Sequence, residues 1–267
     1  VTRLVVGTLL AGGWLLLLLY ASPLVFWLVV GVLLWLGISE YLSMALTLGG
    51  EQRFRLPVLL AALLPYLATG MGGGVLLTAA LVLGFLLLAA AVVASAETLE
   101  NPMGLLAKAI FGLVYLGLFP AHLPMLFNLP RGPSWILFLT VVIASSDAGA
   151  YYSGTLFGRH KLCPAVSPKK TWEGLAGGLI AALLGVLLLS RLVSFPVALL
   201  HLLLLGFILS LVGVLGDLTE SVIKRAFRVK DSGRLLPGHG GVLDRVDGLL
   251  FAAPTLYYLL ILVFPHS

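Results

Sequence analysis

The chain reads as an all-α, polytopic integral membrane protein with about nine transmembrane helices and a cytoplasmic N-terminus. Three observations carry this reading. Of its 267 residues only 27 are charged, 16 Lys or Arg and 11 Asp or Glu, where a soluble domain carries about a quarter. Mean hydropathy is +1.12, and 60% of residues are apolar. The apolar residues also form long unbroken runs, such as Leu15 to Leu19 and Val75 to Val93. A membrane barrel would show short alternating stretches instead. Helices satisfy their own backbone in hydrocarbon, so long runs predict helices. A soluble globular enzyme, a disordered chain and a disulfide-stapled secreted module are all excluded. The single cysteine, Cys163, has no internal partner for a disulfide.

About 20 residues cross a ~30 Å hydrocarbon core. On that measure the spans fall near 4–20, 22–38, 56–70, 72–94, 104–121, 134–153, 173–190, 196–215 and 248–264. The first lacks a small-residue cleavage site and eight more runs follow, so it is read as a span and not a signal peptide. The third is short and carries Pro65, which leaves an eight-span count open. Four polar loops separate the spans, at 39–55, 95–103, 154–172 and 216–247. With nine spans all four lie on one side together with Arg3. Of the 16 basic residues only Arg131 and Arg191 lie opposite. By the positive-inside rule the charged side is cytoplasmic.

The sequence divides into residues 1–133, expected to be scaffold or dimer-contact helices, and residues 134–267, expected to be the catalytic region. The second part carries ten of the 16 basic residues in loops 154–172 and 216–247. Basic loops also hold topology and touch anionic lipid. That role does not account for the five acids within 216–247.

The strongest segment runs from Asp217 to Asp247. On a helix Asp217, Ser221, Lys224 and Arg228 fall at i, i+4, i+7 and i+11 and form one stripe, about 16 Å long. That stripe offers a carboxylate, a hydroxyl and two cations, which suits a polyphosphate with its metal. A plain helix extension held by Glu220–Lys224 pairing is the structural alternative, and for Arg228 it is preferred. Pro237-Gly238-His239-Gly240-Gly241 follows. Its glycines permit positive φ and close backbone approach to an anion; a simple turn between helices is the alternative. His239 would donate to a phosphate or brace the loop. Asp244 and Asp247, at i and i+3, share a helix face and suit a hard divalent cation. They would equally complement a helix dipole. Arg245 offsets their repulsion.

A second segment holds Asp147 inside a predicted span, where an ionisable group marks a functional candidate. Ser167-Pro168 reads as an N-cap followed by a helix-starting proline. Lys169 and Lys170 beside it would bind a phosphate, or, for one of them, belong to a membrane-surface cluster. No nucleophile elbow, Walker-type loop or aromatic-interleaved basic stripe is present. The basic balance therefore does not point to nucleic acid.

The pattern Ser221-x2-Lys224-Arg225-x4-Lys230-Asp231-x-Gly233-x3-Pro237-Gly-His-Gly-Gly241-x2-Asp244-Arg245-x-Asp247 resembles the signature of the CDP-diacylglycerol synthases, or phosphatidate cytidylyltransferases. Asp147-Ala-Gly-Ala-Tyr151, Phe157-Gly-Arg159 and Ser167-Pro-Lys-Lys-Thr-Trp-Glu-Gly174 are similar to the family's second block. The resemblance covers about 145–264; the first half matches only as apolar spans.

The resemblance implies that CTP and phosphatidic acid give CDP-diacylglycerol and pyrophosphate, with Mg²⁺ and room for a second ion. It implies Asp217, Asp244 and Asp247 as metal ligands, with Lys224 and Asp147 completing the catalytic set. Ser221, Arg225, Lys169, Lys170, Gly238, His239, Gly240, Gly241 and Arg245 would hold the phosphates. It further implies a homodimer in the cell's inner (plasma) membrane, with its site facing the cytoplasm. A CDP-alcohol phosphotransferase would need an Asp-Gly-x2-Ala-Arg motif, which is absent. A transporter would show charges inside discontinuous helices and a pseudo-symmetric repeat. Here the charges cluster at one end of the C-terminal spans.

Overall fold

The computed structural model describes residues 2–47, 50–72, 74–233, 235 and 240–264. Ten α-helices and one small hairpin are the main elements of the described residues. In order they are α1 (Thr2–Tyr20), α2 (Pro23–Ala45), α3 (Arg55–Thr69), α4 (Val75–Val93), α5 (Pro102–Gly112), α6 (Phe119–Phe127) and α7 (Gly132–Phe157). The strands β1 (Lys161–Cys163) and β2 (Ser167–Thr171) come next, then α8 (Trp172–Leu192), α9 (Leu199–Ala226) and α10 (Leu243–Val263). A π turn, Leu113–Leu118, joins α5 to α6 into one rod.

Each expected span falls on a helix. Among the described residues, seven helices, counting Pro102–Phe127 as one, are long and apolar enough to cross a membrane. The apolar stretch Val5–Tyr20 of α1 and the 15-residue α3 are shorter. Many large apolar side chains point outward, among them Leu16, Leu86, Leu184, Leu188 and Leu204. In lipid that surface carries no hydrophobic penalty, and the chain is a multi-pass membrane protein.

The helices start where local chemistry says they should. Ser22 accepts a hydrogen bond from the Val25 amide and precedes Pro23. Asn101 does the same for Gly104 at 2.8 Å, ahead of Pro102. Pro65 sits inside α3 without ending it. The π turn precedes Pro120 and Pro124, which have no amide to give to the helical ladder.

The chain forms two compact units. The first comprises Val1–Met125 and Phe227–Arg245. Its core holds Phe26, Tyr41, Tyr66, Leu105, Leu113 and Leu116, all fully buried. The Tyr41 hydroxyl donates to the Lys108 carbonyl at 2.8 Å, and Lys108 pairs with buried Glu51 at 2.9 Å. Gly117 lets the π turn approach α3, since an added Cβ there would stand 2.5 Å from the Ala62 carbonyl oxygen.

The second unit comprises Leu126–Ala226 and Val246–Ser267. Here α7 packs along α8 and α9 through small residues. A Cβ on Gly149 would meet the Gly177 carbonyl at 2.7 Å, and one on Gly178 would meet the Ser146 carbonyl at 2.8 Å. Small residues let backbones approach, which is how membrane helices gain packing energy without a hydrophobic effect. Between α7 and α9 the buried hydroxyls of Ser146 and Ser210 share a hydrogen bond of 2.7 Å. Trp135, Phe138 and Phe195 form a ring cluster with centroids 5.1 to 5.9 Å apart.

Three local expectations change. Ser167-Pro168 does not start a helix: 167–171 is strand β2, antiparallel to β1. The N-cap of α8 is Thr171, whose hydroxyl accepts from the Gly174 amide at 3.1 Å. Proline is tolerated in so short a hairpin because its strand is an edge. The stripe on α9 stops at Ala226, and Arg228 adopts φ 56°, off the helix. Finally, α2 continues to Ala45, so Glu40 lies in a helix and not in the 39–55 loop.

Candidate active site

Within the second unit the polar residues gather from α7, β2, α9 and α10. Asp147 comes from α7, Lys170 from β2, Asp217, Glu220, Ser221, Lys224 and Arg225 from α9, and Asp247 from α10. The Lys170 ammonium lies 2.7 Å from Asp217 Oδ2, with side-chain exposures of 22% and 37%. Lys224 donates to Glu220 Oε2 at 2.7 Å, with exposures of only 16% and 3%. Asp247 lies in the field of three further carboxylates, those of Asp217, Glu220 and Asp147. Four acids are thus brought together. Their mutual repulsion is answered in part by the two lysine ammonium groups.

Backbone geometry builds this cluster. A Cβ on Gly216 would stand 2.6 Å from the Asp247 carbonyl oxygen, so this glycine brings α9 against α10. Gly248 on α10 packs more loosely, with a Cβ there 3.4 Å from the Gly213 carbonyl oxygen. The hairpin is tied to α9 twice, by Lys170–Asp217 and by Arg225 Nε donating to the Val166 carbonyl at 3.4 Å. It is tied to α8 by Glu173. That carboxylate accepts from the Arg159 and His160 amides and from His160 Nδ1, the last at 2.6 Å. Lys169, on the other side of the strand from Lys170, is exposed. Ser221 is half-buried on α9, and Asp147 is exposed on α7.

The first unit holds a second polar constellation, around the start of α10. Asp244 Oδ2 accepts three hydrogen bonds: from the Ser232 amide at 3.0 Å, the Ser232 hydroxyl at 3.0 Å and the Gly241 amide at 2.8 Å. Glu40 of α2 accepts from the Val242 amide at 2.9 Å and the Leu243 amide at 3.1 Å, and shares the single Ser232 hydroxyl proton with Asp244, its Oε2 lying 3.1 Å from that hydroxyl. The Val242 and Leu243 amides are donors that a helix start leaves without intrahelical partners. Gly240 has φ +82°, the left-handed conformation for which the glycines were singled out. The Gly241 amide, expected to face a phosphate, is directed at Asp244. Arg245 is exposed on α10. Gly238 and His239 lie outside the described residues.

Among the described residues no three His, Cys, Asp or Glu side chains are arranged as a ready metal cage. The donor set still suits a hard divalent ion. Asp217 already takes a cation, the Lys170 ammonium, on one oxygen, and Asp247 faces an excess of negative charge. Mg²⁺ is typically bound through one or two carboxylates together with substrate phosphates, so a complete protein cage is not required.

The sequence reading passes over Glu40, Ser232 and, as a site residue, Glu220. A signal for Glu40 exists: it is an acid at the end of an apolar run, and such acids are costly unless they have a task. Nothing local marks Ser232.

Comparison with known proteins places the chain beside named cytidylyltransferases. The chain is 45% identical over 150 residues to the phosphatidate cytidylyltransferase of Bacillus subtilis, covering 56% of each chain. It is 53% identical over 131 residues to that of Staphylococcus saprophyticus, covering 49% of this chain and 50% of the relative. It is 50% identical over 147 residues to that of Brucella suis, covering 55% and 54%. The chain thus spans about half the length of the curated relatives it matches. The model of the cytidylyltransferase family matches residues 1–263, nearly end to end, and the chain belongs to that family.

Proposed function

We propose that the chain is a phosphatidate cytidylyltransferase, converting CTP and phosphatidic acid to CDP-diacylglycerol and pyrophosphate for phospholipid synthesis. The observation that carries this reading is the acid–lysine cluster of the second unit, built from four elements in a chain of the cytidylyltransferase family. Such a cluster suits a reaction between two polyanions.

A phosphatidate oxygen attacks the α-phosphorus of CTP. The bond from that phosphorus to the bridging oxygen breaks, and pyrophosphate leaves. A phosphate monoester has a second pKa near 6 and is largely a dianion at neutral pH. No strong general base is needed, and catalysis rests on positioning and charge neutralisation. Lys224, Arg225, Lys169 and Lys170 hold phosphate oxygens, with Ser221 as a hydroxyl donor on the same helix. Asp217 and Asp247 are the carboxylates that would hold Mg²⁺, with Asp147 supporting them electrostatically. Mg²⁺, when bound, offsets triphosphate charge and eases departure of pyrophosphate. Lys170 would exchange Asp217 for a phosphate when the substrates arrive. Asp244, whose Oδ2 takes three donors, orients the backbone at Ser232 and Gly241.

The charge distribution supports a site facing the cytoplasm of a cell's inner membrane, with the N-terminus on that side. CTP would arrive from the water phase and phosphatidate from the adjacent leaflet. A homodimer is the accompanying expectation.

The test is direct. The protein is purified in detergent, and formation of CDP-diacylglycerol from radiolabelled CTP and phosphatidate is measured with and without Mg²⁺. Product should appear only with Mg²⁺ and should be lost in Asp217→Asn and Asp247→Asn. An inactive wild type, or full activity in both variants, would refute the proposal.

A further inference from the structure

Glu40 lies about 190 to 200 positions before the residues it binds, in α2, yet all three of its described hydrogen bonds go to the signature loop and the start of α10. Its Oε1 takes the Val242 amide; its Oε2 takes the Leu243 amide and the Ser232 hydroxyl. The loop is also shaped around this carboxylate. A Cβ added to Gly233 or to Gly241 would stand 2.7 Å from the Glu40 carboxyl carbon, and a Gly241 Cβ would also collide with the Ser232 hydroxyl. Where the Glu40 carboxylate sits, both glycines of the signature leave it room. Ser232 joins the two acids, since its hydroxyl lies 3.1 Å from Glu40 and 3.0 Å from Asp244.

We propose that Glu40 is a positioning residue for the reaction: it clamps Ser232 to the first turn of α10, and so fixes the directions in which the Gly241 amide and Asp244 point. The physical case rests on the donors. A carboxylate accepts at both oxygens, and two amides and one hydroxyl converge on it. Charge-assisted bonds of this kind are roughly twice as strong as neutral ones. A negative charge at a helix N-terminus is also favoured by the helix dipole. The first turn of α10 carries Asp244 and Arg245. A loop released at its base would misplace them, and a displacement of about 1 Å can cost roughly 10²-fold in rate.

This inference rests on the proposed activity, so the experiment separates the two. Wild type, Glu40→Gln, Glu40→Asp and Ser232→Ala are purified in detergent. Each is assayed for CDP-diacylglycerol formation and for amide hydrogen exchange. In Glu40→Gln one oxygen is replaced by an NH₂ group that faces donors, so the clamp opens. Exchange at Val242 and Leu243 should accelerate while the other helices stay protected, and kcat should fall roughly 10²-fold. Glu40→Asp keeps the charge and should regain part of both. Should Glu40→Gln fail to fold, Ser232→Ala reads the same clamp: faster exchange at Val242 and Leu243 with lower kcat supports it. Unchanged exchange, or faster exchange with full activity, overturns it. An inactive wild type refutes the proposed activity alone, because the exchange measurement still tests the clamp.

Discussion

Replacing Lys224 with Met separates what this lysine does for the fold from what it does for the reaction. Its ammonium lies 2.7 Å from Glu220 Oε2, and the Glu220 side chain is only 3% exposed. At that distance two unit charges attract by about 6 kcal/mol with an effective dielectric constant of about 20. Desolvation of both groups takes back much of that, so the pair adds little net stability. Removing one partner is different, because a buried carboxylate then loses the ammonium bonded to its Oε2, at a cost of about 3–5 kcal/mol. Glu220 also lies in the field of Asp247, which raises that cost. Lys224→Met should lower the melting temperature by roughly 6–12 °C, taking ~3 kcal/mol at about 2–4 °C per kcal/mol. The double variant Glu220→Gln/Lys224→Met strands no charge and should recover most of the stability. It should not recover activity, since the phosphate-binding ammonium is still missing. Melting in detergent and turnover of radiolabelled CTP read the two properties separately. A single variant as stable as wild type would refute the electrostatic argument. A double variant with full activity would show that Lys224 serves the fold alone.

Further predictions concern the same site. Lys170→Met should reduce kcat/KM more than Lys169→Met, because Lys170 is directed at Asp217 and Lys169 is exposed; equal losses would refute that distinction. Gly216→Ala should cost about 1–3 kcal/mol and most of the activity, because the new methyl group meets a backbone carbonyl at 2.6 Å that only a shift of α10 can relieve; melting and turnover measured together check this. Thr171→Ala removes the N-cap of α8 and should lower stability by about 1 kcal/mol, read as a small fall in melting temperature. Because the reacting phosphate must be a dianion, kcat/KM should fall as pH drops below about 6, and initial rates between about pH 5 and 8 would show it.

The spans were legible because hydropathy acts over twenty residues at a time. Runs such as Val75 to Val93 became helices with nearly the expected bounds. The stripe on α9 was legible too, as far as Lys224, because helical periodicity brings Asp217, Ser221 and Lys224 onto one face. It failed at Arg228, where no pattern in the sequence announced that the helix would stop at Ala226. Ser167-Pro168 misled for a related reason. Ser-Pro is a good helix start, but strand pairing with Lys161–Cys163 claimed the segment and left the cap to Thr171, four residues on.

What periodicity cannot show is where an acid points across a long stretch of sequence. Glu40 illustrates the gap. Its own neighbourhood, an apolar helix end, says only that a charge there needs a partner. The partners are the amides of Val242 and Leu243, donors present at every helix start and invisible as side-chain chemistry. The glycines were visible, and were read as space for a ligand. In the fold, Gly233 and Gly241 make space for Glu40 itself, and the Gly241 amide turns to Asp244. Ser232, Gly233 and Gly241 are therefore arranged from within, by two of the protein's own carboxylates. A chain with only 11 acids in 267 residues spends two of them on fixing these residues, which is the physical reason to regard their conformation as part of the chemistry.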